Sequence, residues 1–92
     1  MIFDTRAAFL EAVVMFCTLH GGSVTSWLRS PAHNAAVGGV PHSAHLYGLG
    51  VDVTYDQTPT GAEASASAAR VGIKLIREGD HDHLQPLDWQ PG

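Results

Sequence analysis

Ser43-Ala44-His45-Leu46-Tyr47-Gly48-Leu49-Gly50-Val51-Asp52-Val53-Thr54-Tyr55 is the stretch from which the fold can be read. Leu49, Val51, Val53 and Tyr55 alternate with Gly50, Asp52 and Thr54. That period of two marks a strand with one apolar face and one small or polar face. Asp52 lies on the second face. Gly48 and Gly50 permit a tight turn and a close backbone approach just before the strand, which brings His45 back toward Asp52. A strand with one dry face needs helices to cover it, and the flanking sequence supplies them.

Upstream, Asp4 reads as an N-cap. Phe9, Leu10, Val13, Val14 and Cys17 then recur at helical spacing until Gly21-Gly22 stops the run. Ser23-Val24-Thr25-Ser26-Trp27-Leu28 is rich in β-formers and reads as a strand. Ser30 as N-cap and Pro31 as first helical residue open a short helix through Ala36, followed by a loop at Gly38-Gly39 and Pro41. Downstream, Thr60-x-x-Glu63 is a capping box opening an Ala-rich helix that ends near Gly72. Ile73 to Arg77 read as a strand, Glu78-Gly79 as a turn and His81 to Gln85 as a last strand, before an irregular tail from Pro86 to Gly92. The expected fold class is α+β, one domain over residues 1–92, with helices packed on a small antiparallel or mixed sheet.

The chain has 92 residues, 45% of them apolar and 15% charged, a globular composition. A domain this small buries a modest share of its surface, so a bound metal would help hold it together. The net charge is −4 with five basic residues and no Lys/Arg stripe, which argues against nucleic acid or an anionic membrane as partner. The single cysteine, Cys17, excludes a disulfide framework and a Cys-rich zinc finger, and its place on the apolar helix stripe reads as core. No apolar stretch is long enough to span a bilayer. No basic segment followed by an apolar core opens the chain, so it reads as made without a secretory signal.

The chemistry-bearing residues form a set. His45 and Asp52 lie seven residues apart across the glycine turn, and Asp80-His81-Asp82-His83 adds two more histidines. Imidazole and carboxylate are zinc ligands, and three of them leave one position of a tetrahedral ion open, the mark of a catalytic rather than a structural site. An extended 81–85 segment points His81, His83 and Gln85 to one face, so spacing alone does not say which histidine is the ligand. Metal binding lowers the pKa of water to roughly 7, and a carboxylate or histidine can complete its deprotonation. Asp80, three residues before His83, is the carboxylate best placed by sequence, with Glu78 in reserve. Arg29, at a strand end, suits an oxyanion or a substrate carboxylate. Asp82 reads as a solvated charge facing away from the site. Trp27 reads as core, and Trp89 as a packing anchor or a cleft wall.

Arg29-Ser30-Pro31-Ala32-His33-Asn34-x-x-Val37-Gly38-Gly39, then Ser43-x-His45-x-x-Gly48-x-x-x-Asp52, then His81-x-His83, resembles the zinc D-Ala-D-Ala carboxypeptidase family. That family includes DD-carboxypeptidases, vancomycin-resistance D-Ala-D-Ala dipeptidases and L-alanyl-D-glutamate endolysins of phages, and the hedgehog signalling domain shares its fold. The resemblance runs from about His20 to Pro86. It implies zinc on His45, Asp52 and His83, with Asp80 as base, His81 beside the site, Arg29 stabilising the intermediate and Ser43 next to the substrate. The family commonly has a tryptophan before the final histidine ligand, where this chain has Asp-His-Asp-His, which leaves the base open among Asp80, His81 and Glu78.

The activity so implied is that of a zinc metallopeptidase cutting peptidoglycan stem peptides, of the D-Ala-D-Ala carboxypeptidase or the L-Ala-D-Glu endopeptidase type. The chain would be a monomer that acts at the bacterial cell wall if it is a phage endolysin. The hedgehog comparison admits a second class, a zinc-stabilised binding module without turnover.

Overall fold

A computed structural model describes residues 1–90. The elements run α1 (Arg6–His20), β1 (Gly22–Ser26), α2 (Pro31–Ala36), a 3-10 turn (Ala44–Tyr47), β2 (Val51–Tyr55), α3 (Gly61–Arg70), β3 (Ile73–Glu78) and β4 (His81–Pro86). The four strands form one sheet in the order β1-β2-β4-β3, and every neighbouring pair is antiparallel. The α+β expectation therefore holds, with an antiparallel rather than a mixed sheet. No described helix is long and apolar enough to cross a membrane.

The first helix starts one residue later than the sequence implies. Thr5, not Asp4, is the N-cap, its hydroxyl accepting the N–H of Ala8 at 3.0 Å. Its buried face is Phe9, Ala12, Val13 and Phe16, spaced as one stripe of a 3.6-residue period. Leu10 and Cys17 pack against the core from its edge. Val14 is exposed, because five residues beyond Phe9 lies about 140° around the helix. In α3, the Thr60 hydroxyl accepts the N–H of Glu63 at 3.2 Å, the N-cap half of the expected capping box, and Ala64 and Ala68 are fully buried. The small side chains let this helix lie close to the sheet.

The sheet's two faces have different tasks. Val51 and Val53 of β2, Leu84 of β4 and Ile73 of β3 join Phe9, Phe16, Ala64 and Ala68 in the core. On the other face, strand register sets Asp52 opposite His83 and Glu78 opposite His81, with the apolar Ile76 on the far side of His83. The alternation read from Leu49 to Tyr55 thus separates core from site.

Two further features depart from expectation. The strand anticipated over Ser23–Leu28 stops at Ser26, after a register shift between Val24 and Ser26. Such a bulge bends the strand. Trp27 and Leu28 leave the sheet, and the Trp27 indole donates to the Gly48 carbonyl at 2.9 Å instead of entering the core. Asp82 is not a solvated charge. It faces away from the site as expected, but it is 1% exposed. Arg77 donates to both of its oxygens, Nε to Oδ1 at 2.8 Å and Nη2 to Oδ2 at 2.9 Å, and the Tyr55 hydroxyl donates at 2.6 Å. A buried carboxylate is tolerated only when paired in this way.

Candidate metal centre

His45 sits in the 3-10 turn, Asp52 on β2 and His83 on β4, and all three are buried. The turn is opened by Ser43, whose hydroxyl accepts the N–H of His45 at 3.2 Å. It is held close to β2 because Gly50 has no side chain: a Cβ there would lie 2.9 Å from the His45 backbone nitrogen. His45 Nε2 lies 3.2 Å and His83 Nδ1 3.4 Å from Asp52 Oδ1. Zinc bonds of about 2.0–2.1 Å in a tetrahedron place ligand atoms roughly 3.3 Å apart.

The outward-facing ring nitrogens decide what the inner ones can do. His45 Nδ1 lies 2.6 Å from the Trp27 carbonyl oxygen, which can only accept, so that nitrogen carries a proton. His83 Nε2 lies 2.8 Å from Gln85 Oε1, as the amide is placed, and likewise donates. In their neutral forms both rings then turn a lone pair toward the Asp52 carboxylate. Two lone pairs and an anionic oxygen converge with no proton between them. A divalent cation satisfies that donor set, and acceptors holding the far side of each ring are the usual support of metal-bound histidine. Burial works against ionisation of Asp52, yet with protons in place of a metal on the inner nitrogens of His45 and His83 the bonds they donate, and the charge of the nearby imidazoles, hold its carboxyl well below the ordinary range.

The other anticipated residues fall around this point. Arg29 is fixed to the site: its Nη2 donates to Asp52 Oδ2 at 3.2 Å, its Nη1 to Asn34 Oδ1 at 3.3 Å, and its backbone N–H to the His45 carbonyl at 3.0 Å. Asn34 in turn donates to the Val40 carbonyl at 2.8 Å, tying the following loop to the site. His81 turns Nε2 toward the centre, 3.9 Å from both Asp52 Oδ1 and Glu78 Oε1. Its Nδ1 lies 2.9 Å from Asp80 Oδ1. Asp80 is thus behind His81, its side chain almost wholly exposed, rather than in the cleft. The bond to Asp80 raises the pKa of His81 despite partial burial, with Asp52 and Glu78 adding to the effect.

These groups line a cavity of about 550 Å³, with the polar residues Arg29, His42, Ser43, Glu78 and His81 around the three candidate ligands and Val37, Val40, Ile76 and Trp89 as its apolar wall. Sequence reasoning missed Asn34 and the Trp27 carbonyl. A backbone acceptor has no residue signature, and an Asn in a six-residue helix resembles any other polar position. Gln85 was recognisable only as sharing a strand face with His83.

Comparison with curated proteins and with solved structures returns no match. A model of the Peptidase M15 family matches residues 17–85, about three quarters of the chain, and so spans Arg29, the candidate ligands and His81. By that match, and with the His45, Asp52 and His83 cluster in place within it, the chain belongs to the Peptidase M15 family.

Proposed function

We propose that this protein is a zinc metallopeptidase that hydrolyses peptide bonds in peptidoglycan stem peptides, of the D-Ala-D-Ala carboxypeptidase or L-Ala-D-Glu endopeptidase type, as in a phage endolysin. The observation that carries the proposal is the convergence of His45 Nε2, His83 Nδ1 and Asp52 Oδ1 at the floor of an open cavity. A zinc ion held by these residues supplies a Lewis acid for a peptide carbonyl and lowers the pKa of water to about 7.

The remaining roles belong to the chain. His81, whose Nε2 faces the centre while Asp80 holds its Nδ1, accepts the proton of the attacking water and returns it to the leaving amine. Asp80 acts through His81: it fixes the ring's orientation and favours its protonated form. Arg29 commits two of its five N–H groups to Asp52 and Asn34 and keeps others for the oxyanion that develops on the substrate. Ser43 spends its acceptor on His45 and retains a hydroxyl hydrogen to donate to the substrate from the cavity wall.

The test is a peptidoglycan digest read by mass spectrometry, with wild type and His81→Gln side by side. The expected result is chelator-sensitive release of fragments whose masses name the bond, with a loss of about 100-fold or more in the variant at unchanged zinc content. Zinc-loaded wild type that releases no peptide would favour a binding module.

A further inference from the structure

Beside the candidate ligands lies a second convergence that the proposed mechanism does not explain. Glu78 and His81 are register partners at the turn end of the β3–β4 hairpin and face the cavity. His81 Nε2 stands 3.9 Å from Glu78 Oε1 and 3.9 Å from Asp52 Oδ1. One oxygen from each carboxylate and this nitrogen lie mutually within 4.8 Å. The far side of the ring is held by an acceptor, Asp80 Oδ1 at 2.9 Å. His45 and His83 have the same arrangement, each with an outer acceptor and the inner nitrogen turned toward Asp52.

We infer that Glu78, His81 and the shared carboxylate of Asp52 form a second, weaker site for a divalent cation, and that filling it stops turnover. Sharing one carboxylate puts the two ions at the short separation of two-metal centres, about 3.5–4 Å. The second site is weaker for three reasons. Its ligand atoms are further apart than those of the first. The Glu78 side chain is half exposed. Asp52 already has one oxygen between His45 and His83 and the other on Arg29. A cation on His81 Nε2 occupies the lone pair that would otherwise take a proton. The binding half of this inference stands on geometry alone, and the inhibitory half rests on the peptidase reading.

The experiment is calorimetric titration of metal-free protein with zinc chloride, for wild type and Glu78→Gln. Glu78→Gln keeps the shape and hydrogen-bonding reach of an exposed side chain, and its melting temperature checks that the fold is kept. The expected isotherm has two steps in wild type. The first is unchanged in Glu78→Gln and the second at least tenfold weaker. In wild type, activity rises through the first equivalent and falls at least fivefold as the second fills. A single step up to millimolar zinc would overturn the inference while leaving the first site intact. So would a second step that Glu78→Gln leaves unaltered, which would assign that ion to a surface histidine such as His33. Activity that survives filling of the second step would overturn the inhibitory half alone. A missing first step would overturn the metal centre itself.

Discussion

Asp82 and His83 are adjacent on β4, yet one is locked into the core side and the other offered to the cavity. The clamp on Asp82 from Arg77 and Tyr55 fixes the strand from behind and so presents His81 and His83 in front. Asp82→Asn should destabilise the protein by about 2 kcal/mol in denaturant unfolding near neutral pH. Burial alone would raise the Asp82 pKa, but the bonds from Arg77 and Tyr55 outweigh it and hold the carboxyl below its ordinary 3.8. A group whose folded pKa is depressed contributes stability above its unfolded value and loses it as pH falls through the folded one. The stability gap between wild type and Asp82→Asn should therefore be full above about pH 5 and close progressively below pH 4. A gap that does not change with pH would mean that the charge on Asp82 does not matter. At this scale, what could be read from sequence follows from chemistry. His45, Asp52 and His83 are ligand types in an ordered pattern, whereas the burial of Asp82 depends on an arginine from the neighbouring strand that no local pattern announces.

The elements that position the site are the β1 bulge, the 3-10 turn and the β3–β4 hairpin. The bulge releases Trp27 so that its carbonyl meets His45 and its indole meets Gly48. The turn approaches β2 at Gly50, where a methyl group would meet the His45 backbone nitrogen and the Ala44 Cβ at 2.9 and 3.0 Å. Backbone cannot yield as a flexible side chain does, so Gly50→Ala should push His45 away from Asp52. The expected effect is about a tenfold or greater loss of zinc affinity in chelator competition, with the fold retained by circular dichroism. Unchanged affinity would mean that the turn adjusts freely. Of these elements, the alternation of β2 and the caps Ser30 and Thr60 could be read directly, because each rests on side chains of its own segment. The end of β1 and the turn over Ala44–Tyr47 could not. Both are set by hydrogen bonds between segments about twenty residues apart, in which backbone carbonyls are the acceptors.

For the whole molecule, the element order followed from sequence, while the strand order β1-β2-β4-β3 did not. The last strand inserts between β2 and β3, and that choice is made by packing rather than by any local signal. The insertion matters for function, since only neighbouring β2 and β4 set Asp52 opposite His83. A domain of 92 residues has a small core and should lean on its metal. At zinc concentrations of about 100 times Kd, binding adds about 2.7 kcal/mol. Chelation should then lower the melting temperature by about 10 °C or more, read by scanning calorimetry, and zinc alone should restore it. No shift would mean that the three residues are held by the fold without help from an ion.

The central claim is that His45, Asp52 and His83 hold a zinc ion. The most direct test is the zinc content of purified protein after dialysis against low-micromolar zinc, for wild type, His45→Gln and Asp52→Asn. The account predicts one tightly held zinc per chain in wild type and none in either variant, with all three proteins folded. A well-folded wild type that retains no zinc, or variants that retain as much as wild type, would contradict it.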